Sequence, residues 1–214
     1  TGVATVEQYL SLQHPDDSDS DDTVLLAEGS LGVTVTLTDG DGDSVTSAVV
    51  DVSGQISFDD DGPSVEAVLN QDAVALLDET ATSSGLATID TGVIAKGNDP
   101  DVAGAGYISQ AQSTGALVTL SEDAFGADGP AQDGAKVYSL TVENAASGLK
   151  VTDGSDITLV QLASGVVVGV VVGGAFDGQA AFAIQIDSET GVATVEQYLS
   201  LQHPDDSDSD DTVL

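Results

Sequence analysis

Hydrophobic and polar positions alternate with a period of two along much of the chain, the mark of half-buried strands. Val33, Val35 and Leu37 alternate with Thr34, Thr36 and Thr38. Gly40 and Gly42 then turn the chain, and residues 45–52 return as a hairpin partner. Further strands are predicted at 64–69, 73–77, 117–120, 136–142, 157–162, 166–172, 180–186 and 192–201. Asp-Gly pairs punctuate them, at Asp128-Gly129, Asp133-Gly134, Asp153-Gly154 and Asp177-Gly178. No window keeps a helical period. Residues 192–202 come nearest, and their Thr-Val and Tyr-Leu content before Pro204 favours strand. Residues 166–172, apolar apart from Gly169, fall far short of the roughly 20 needed to span a bilayer and read as a buried strand. Many short strands with frequent turns predict an all-β, antiparallel sandwich.

The two ends of the sequence are the same. Residues 1–25 and residues 190–214 both read TGVATVEQYLSLQHPDDSDSDDTVL, an offset of 189. Such identity predicts a tandem array with a period of about 189 residues, of which this chain is a piece. The absence of Met points the same way. The most linker-like stretch is internal, where Asp59, Asp60 and Asp61 precede Gly62-Pro63. Residues 1–62 therefore read as the C-terminal part of one repeat, and residues 63–214 as most of the next. Identical sequence also predicts an identical local environment for the two copies.

Charge narrows the function. Asp and Glu total 37 of 214 residues against three Lys and no Arg, a net charge of −34. That excludes nucleic-acid binding, which needs a basic face, and disfavours anionic membrane surfaces. With 41% hydrophobic residues and 24 glycines the chain is too apolar for a disordered acidic tail. Asp outnumbers Glu by 29 to eight, and the short carboxylate suits tight, inward-pointing loops. A halophile's generic acidic surface accounts for the charge but not for its clustering. No Cys is present, so disulfides, zinc thiolates and thiol nucleophiles are excluded.

Several motifs together resemble a known family. They are Leu201-Gln202-His203-Pro204-Asp205 before an Asp-rich loop, the Thr-Asp-Gly-Asp-Gly-Asp-Ser turn of residues 38–44, the junction at residues 59–63, and Leu77-Asp78-Glu79-Thr80 beyond it. In combination they resemble the tandem repeats of giant RTX-type adhesins, exported by type I secretion from Gram-negative bacteria. The resemblance covers nearly the whole chain, with one departure: a period near 189 is about twice the roughly 100 residues of the common extender repeats, so two sandwiches or one enlarged one fill it. It implies an Ig-like, calcium-stiffened extender at the cell surface, as in biofilm adhesins, holding a ligand-binding tip that lies outside this segment. The implied partners are neighbouring repeats of the same chain, with no nucleic acid, no membrane insertion and a monomeric state.

Three acidic clusters are candidate calcium ligands, because calcium collects about six to eight oxygens from carboxylates, carbonyls and water. Asp39, Asp41 and Asp43 are spaced i, i+2, i+4 with glycines between, like the start of an EF-hand loop. Position 12 of such a loop is Val50, so an EF-hand is out. Asp16, Asp17, Asp19, Asp21 and Asp22 form the second cluster, repeated as Asp205, Asp206, Asp208, Asp210 and Asp211. His14 and His203 beside them fix the strand exit and do not ligate metal. Asp59, Asp60 and Asp61 form the third, with Asp78 and Glu79 as contributors from the following repeat. The plainer alternatives are a solvated turn, a disordered loop and a bare linker. No nucleophile–base pair stands out, so the chain is not expected to be an enzyme. The expected function is a structural extender. A sugar- or ice-binding adhesive module is the alternative, disfavoured because an array of identical copies suits a spacer better than a tip and the Thr residues form no flat regular ladder.

Overall fold

A computed structural model describes residues 2–16, 18–79, 85–99 and 106–203. The chain is all-β with antiparallel ladders, and the helical structure among those residues is one 3-10 turn, Ser53–Gln55. It divides into two compact units, Thr1–Glu66 with Ser121–Ala131, and Ala67–Leu120 with Gln132–Leu214.

The first unit is built on a ribbon. Its strands are β1 (Thr23–Leu25), β2 (Gly32–Val33), β3 (Thr36–Thr38), β4 (Ser44–Thr46), β5 (Val50–Asp51) and β6 (Ser57–Asp59). They pair in nested fashion, β3 with β4, β2 with β5 and β1 with β6. Leu37 faces Val45, Val33 faces Val50 and Val24 faces Phe58, so all three pairs fold about the same turn with a one-residue slip at β2/β5. This is the predicted hairpin, longer than expected and twice interrupted. A two-stranded ribbon buries little: Val33, Val35, Leu37, Val45, Val49 and Val50 are all exposed. Such a ribbon is at best marginally stable without a further layer or ligand.

The second unit holds the core. After β7 (Ser64–Leu69), β8 (Ser109–Ala116) and β9 (Val118–Ala124) come β10 (Ala146–Lys150), β11 (Asp156–Gln161), β12 (Val167–Val172), β13 (Ala180–Ile186) and β14 (Val192–Gln197). Strands β7 and β9 pair, and the division between the units falls within both. The other six form one sheet in the order β10-β11-β12-β13-β14-β8. Two apolar clusters line it, one around Ile89, Val168, Ala183 and Tyr198, the other around Ile157, Val171, Phe182 and Leu199. Adjacent residues Tyr198 and Leu199, just beyond the end of β14, go to different clusters. A sheet covered on both faces explains why residues 166–172 read as a continuous apolar run. The glycine in that run is needed: a Cβ at Gly169 would lie 2.5 Å from the Phe182 ring.

Several expectations change. Residues 73–77 and 136–142 are not strands, although single bonds tie them to strands and turns, as from Thr114 N–H to the Val74 carbonyl (3.2 Å) and from Tyr138 N–H to that of Ser188 (2.9 Å). The two copies of the repeated segment also differ. Residues 192–197 are a central strand, whereas residues 2–13 form no strand and are exposed. A strand exists by its partners. Those of β14, namely β13 and β8, both precede it in sequence, and no corresponding residues stand before Gly2 among the 214.

Candidate metal centres

The ribbon places the acidic clusters at its two ends. At the tip, the β3–β4 turn brings carboxylate oxygens of Asp39, Asp41 and Asp43 within 4.8 Å of one another, all exposed. Asp39 Oδ1 accepts the N–H groups of Gly42 (3.1 Å) and Asp43 (2.9 Å), which curls the turn inward. Hydrogen bonding with the Asp41 carboxyl holds the Asp39 carboxyl below its ordinary range; desolvation opposes this, and the backbone N–H groups of Asp43, Asp41 and Gly42 add to it. Like charges at about 4 Å repel by about 1 kcal/mol per pair even in water. The turn therefore concentrates negative charge.

At the base, β1/β6 pairing draws the second and third clusters together. Thr23 lies opposite Asp59, and its hydroxyl donates to Asp59 Oδ1 (2.8 Å). The Asp60 N–H donates to the Asp22 carbonyl (3.0 Å). His14 donates from Nδ1 to Asp22 Oδ1 at 2.5 Å, and Asp22 Oδ2 accepts the Asp16 N–H at 3.3 Å. His14, Asp22 and Asp60 thus bring one ligand atom each within 4.8 Å, all half-buried. The junction is packed as well as charged. A Cβ at Gly62 would strike Ser20, and one at Gly126 would meet the Asp61 carbonyl oxygen at 1.7 Å. Within the loop, Asp19 Oδ1 accepts the Asp21 N–H (3.1 Å).

Asp78 and Glu79 lie in the second unit. Glu79 Oε1 accepts Gln197 Nε2 (2.5 Å) and the Leu201 N–H (2.8 Å), with His203 Nε2 at 4.0 Å. Asp78 is exposed. Asp17, Asp205, Asp206, Asp208, Asp210 and Asp211 lie outside the described residues.

A family model matches residues 1–53 and 74–214. The chain belongs to the DUF5801 family, a domain of unknown function. The two matched stretches leave residues 54–73 between them, which include the junction and β7. No curated protein and no solved structure matches the chain.

The two groups in this DUF5801 chain differ in what they suit. Asp39, Asp41 and Asp43 offer only oxygen, as calcium requires. The base group contributes a nitrogen already bonded to Asp22, so it does not fit calcium as a set; His14 there fastens the end of the acidic loop. Many other aspartates serve their own turns. Asp16, Asp51, Asp153 and Asp187 are each pulled below the ordinary carboxylate range, first by the hydroxyl of Ser18, Ser53, Ser155 and Thr190 respectively, and then by backbone N–H groups. Short side chains reach their own backbone two residues on, which gives part of the Asp excess a purely structural use.

Sequence reasoning missed one charged site. Glu196, next to the last residue of β14, is fully buried. It accepts hydrogen bonds from the Ile89 N–H (2.9 Å), Lys96 Nζ (3.1 Å), Gln110 Nε2 (3.1 Å) and the Tyr198 hydroxyl (2.6 Å). Lys96 Nζ also lies 4.9 Å from the centre of the Tyr198 ring, a cation–π contact. Burial, then the bond to Glu196 and its charge, push the Tyr198 hydroxyl far up. A buried carboxylate held by four donors is a structural pin. Period-two patterning gives it no signal, because a charged residue in a strand reads as outward-facing.

Proposed function

We propose that this chain is a structural extender segment of a large secreted adhesin on a bacterial surface, stiffened by calcium and without catalytic activity. One observation carries the proposal: nested strand pairing gathers the acidic clusters at the tip and base of a ribbon that buries almost no apolar surface. A ribbon of that kind needs another source of stability, and cation binding supplies it. Asp39, Asp41 and Asp43 hold the ion at the tip. At the base, where His14, Asp22 and Asp60 form no calcium set, cations screen the charge of Asp59, Asp60 and Asp61 without a defined site, so that consecutive repeats line up instead of repelling. In this reading each 189-residue period builds an Ig-like β-sandwich body, and an array of near-identical periods provides length. Neighbouring repeats are the partners, and the ligand-binding tip lies elsewhere in the protein.

Calorimetric titration of calcium into the chain tests the assignment. Saturable binding is expected, and the combined Asp39→Asn, Asp41→Asn and Asp43→Asn variant should lose one binding event while keeping its far-ultraviolet strand signal. Indistinguishable heats for the two chains would sink the tip site.

A further inference from the structure

The junction between periods is held from the side by a distant part of the chain. Asn70 N–H donates to the Leu117 carbonyl (2.9 Å), and Ser121 Oγ donates to the Glu66 carbonyl (3.4 Å). Asn70 meets Leu117 while Glu66 meets Ser121, so the paired strands β7 and β9 run antiparallel. Carried on past the ladder, that register sets Gly126 opposite Asp61. The main chains do meet there: a Cβ on Gly126 would lie 1.7 Å from the Asp61 carbonyl oxygen and 2.9 Å from its carbon. The next residue is equally crowded, since a Cβ on Gly62 would lie 2.2 Å from that of Ser20. Glycine permits so close an approach of one backbone to another. Residues 121–131 accordingly group with the first unit, although in sequence they stand well inside the following repeat.

We propose that residues 121–126 splint the junction, so that each boundary between periods is crossed by two antiparallel segments, 61–66 and 121–126. The partner of this splint is the base of the preceding repeat, around Ser20 and Asp61. A lone acidic tether is flexible, whereas a paired segment bends only by breaking its ladder. The proposal deepens the extender reading and rests on residues 59–63 being the boundary between repeats. The sequences around Ser20, Asp61 and Gly126 are all acidic, so their close approach needs the screening that cations supply. Any salt can supply it, and no calcium site is involved.

Gly129 provides the control. Gly126 and Gly129 have φ of +73° and +74°, so alanine strains both alike, but a Cβ on Gly129 meets nothing within 4 Å. The test is hydrogen exchange read by mass spectrometry on the full chain, in chelator and about 1 M sodium chloride, where the Debye length is about 3 Å. Peptides over residues 60–69 and 117–124 should be protected together in the unaltered chain. Overpacking by Gly126→Ala should speed their exchange about tenfold beyond that of Gly129→Ala. Peptides of β11 to β13 should keep their protection, which shows the second unit folded. Equal exchange in the two variants, or junction peptides that exchange at the rate of a free chain in the unaltered protein, overturns the splint. The unaltered chain decides alone should Gly126→Ala fail to fold. With calcium absent throughout, failure of the tip site leaves this result standing, and loss of the splint leaves calcium titration at Asp39, Asp41 and Asp43 standing.

Discussion

Glu196→Ala is expected to be among the most damaging single substitutions in the chain, lowering the stability of the second unit by about 3–5 kcal/mol. The loss comes from what the carboxylate leaves behind. The Ile89 N–H and the Tyr198 hydroxyl would lose their acceptor inside the core, and the Lys96 ammonium its counter-charge. Each stranded buried donor costs about 1–3 kcal/mol. The repeat supplies an internal control. Glu7→Ala removes the same residue from the same sequence context, but at an exposed position, and should change stability by no more than about 0.5 kcal/mol. Urea denaturation of the two variants beside the unaltered chain measures both. Equal effects from the two substitutions would mean that Glu196 is not the pin described here.

Chelation should have the other large effect, and a local one. The ribbon buries little and crowds carboxylates at both ends, whereas the six-stranded sheet has apolar clusters built on Tyr198, Phe182 and their neighbours. An ion that binds only the folded ribbon stabilises it by roughly 4 kcal/mol when free calcium exceeds Kd a thousandfold. For a unit of under 100 residues that corresponds to about 15–30 °C in Tm. Calorimetric scans should therefore show an early transition that chelator shifts down by about that much, and a later one that moves little. Magnesium should replace calcium poorly, because it demands tight octahedral geometry and gives up water reluctantly. A thermogram identical in calcium and chelator would remove calcium from the account.

Much of the second unit was legible in the sequence, because β11, β12, β13 and β14 carry apolar runs or alternation. Strands β8 and β10 were not. The β8 sequence, SQAQSTGA, is small and polar, and its buried positions are hydrogen-bonded, as where Ser113 Oγ accepts the Ala193 N–H (3.0 Å). Its partner makes it a strand; its composition does not. Residues 73–77 and 136–142 show the converse, alternation without a ladder to join. The acidic clusters were plain as clusters. Their meeting at the ribbon base was not, since it depends on pairing between Thr23–Leu25 and Ser57–Asp59, each too short to read. Asp excess was also an ambiguous signal. Asp153 and Asp187 serve turns, with Ser155 N–H donating to Asp153 (2.9 Å) and Thr190 N–H to Asp187 (2.8 Å).

The extender reading predicts a mechanical result, and small-angle scattering from a chain of several tandem repeats measures it most directly. In calcium the maximum dimension should grow nearly in proportion to the number of repeats, as for a rod. In chelator it should fall toward the slower, roughly square-root growth of a flexibly linked string. Asp60→Ala and Asp61→Ala should move the calcium profile part of the way toward the chelated one without unfolding either unit. Profiles that superimpose with and without calcium would contradict the stiffening mechanism.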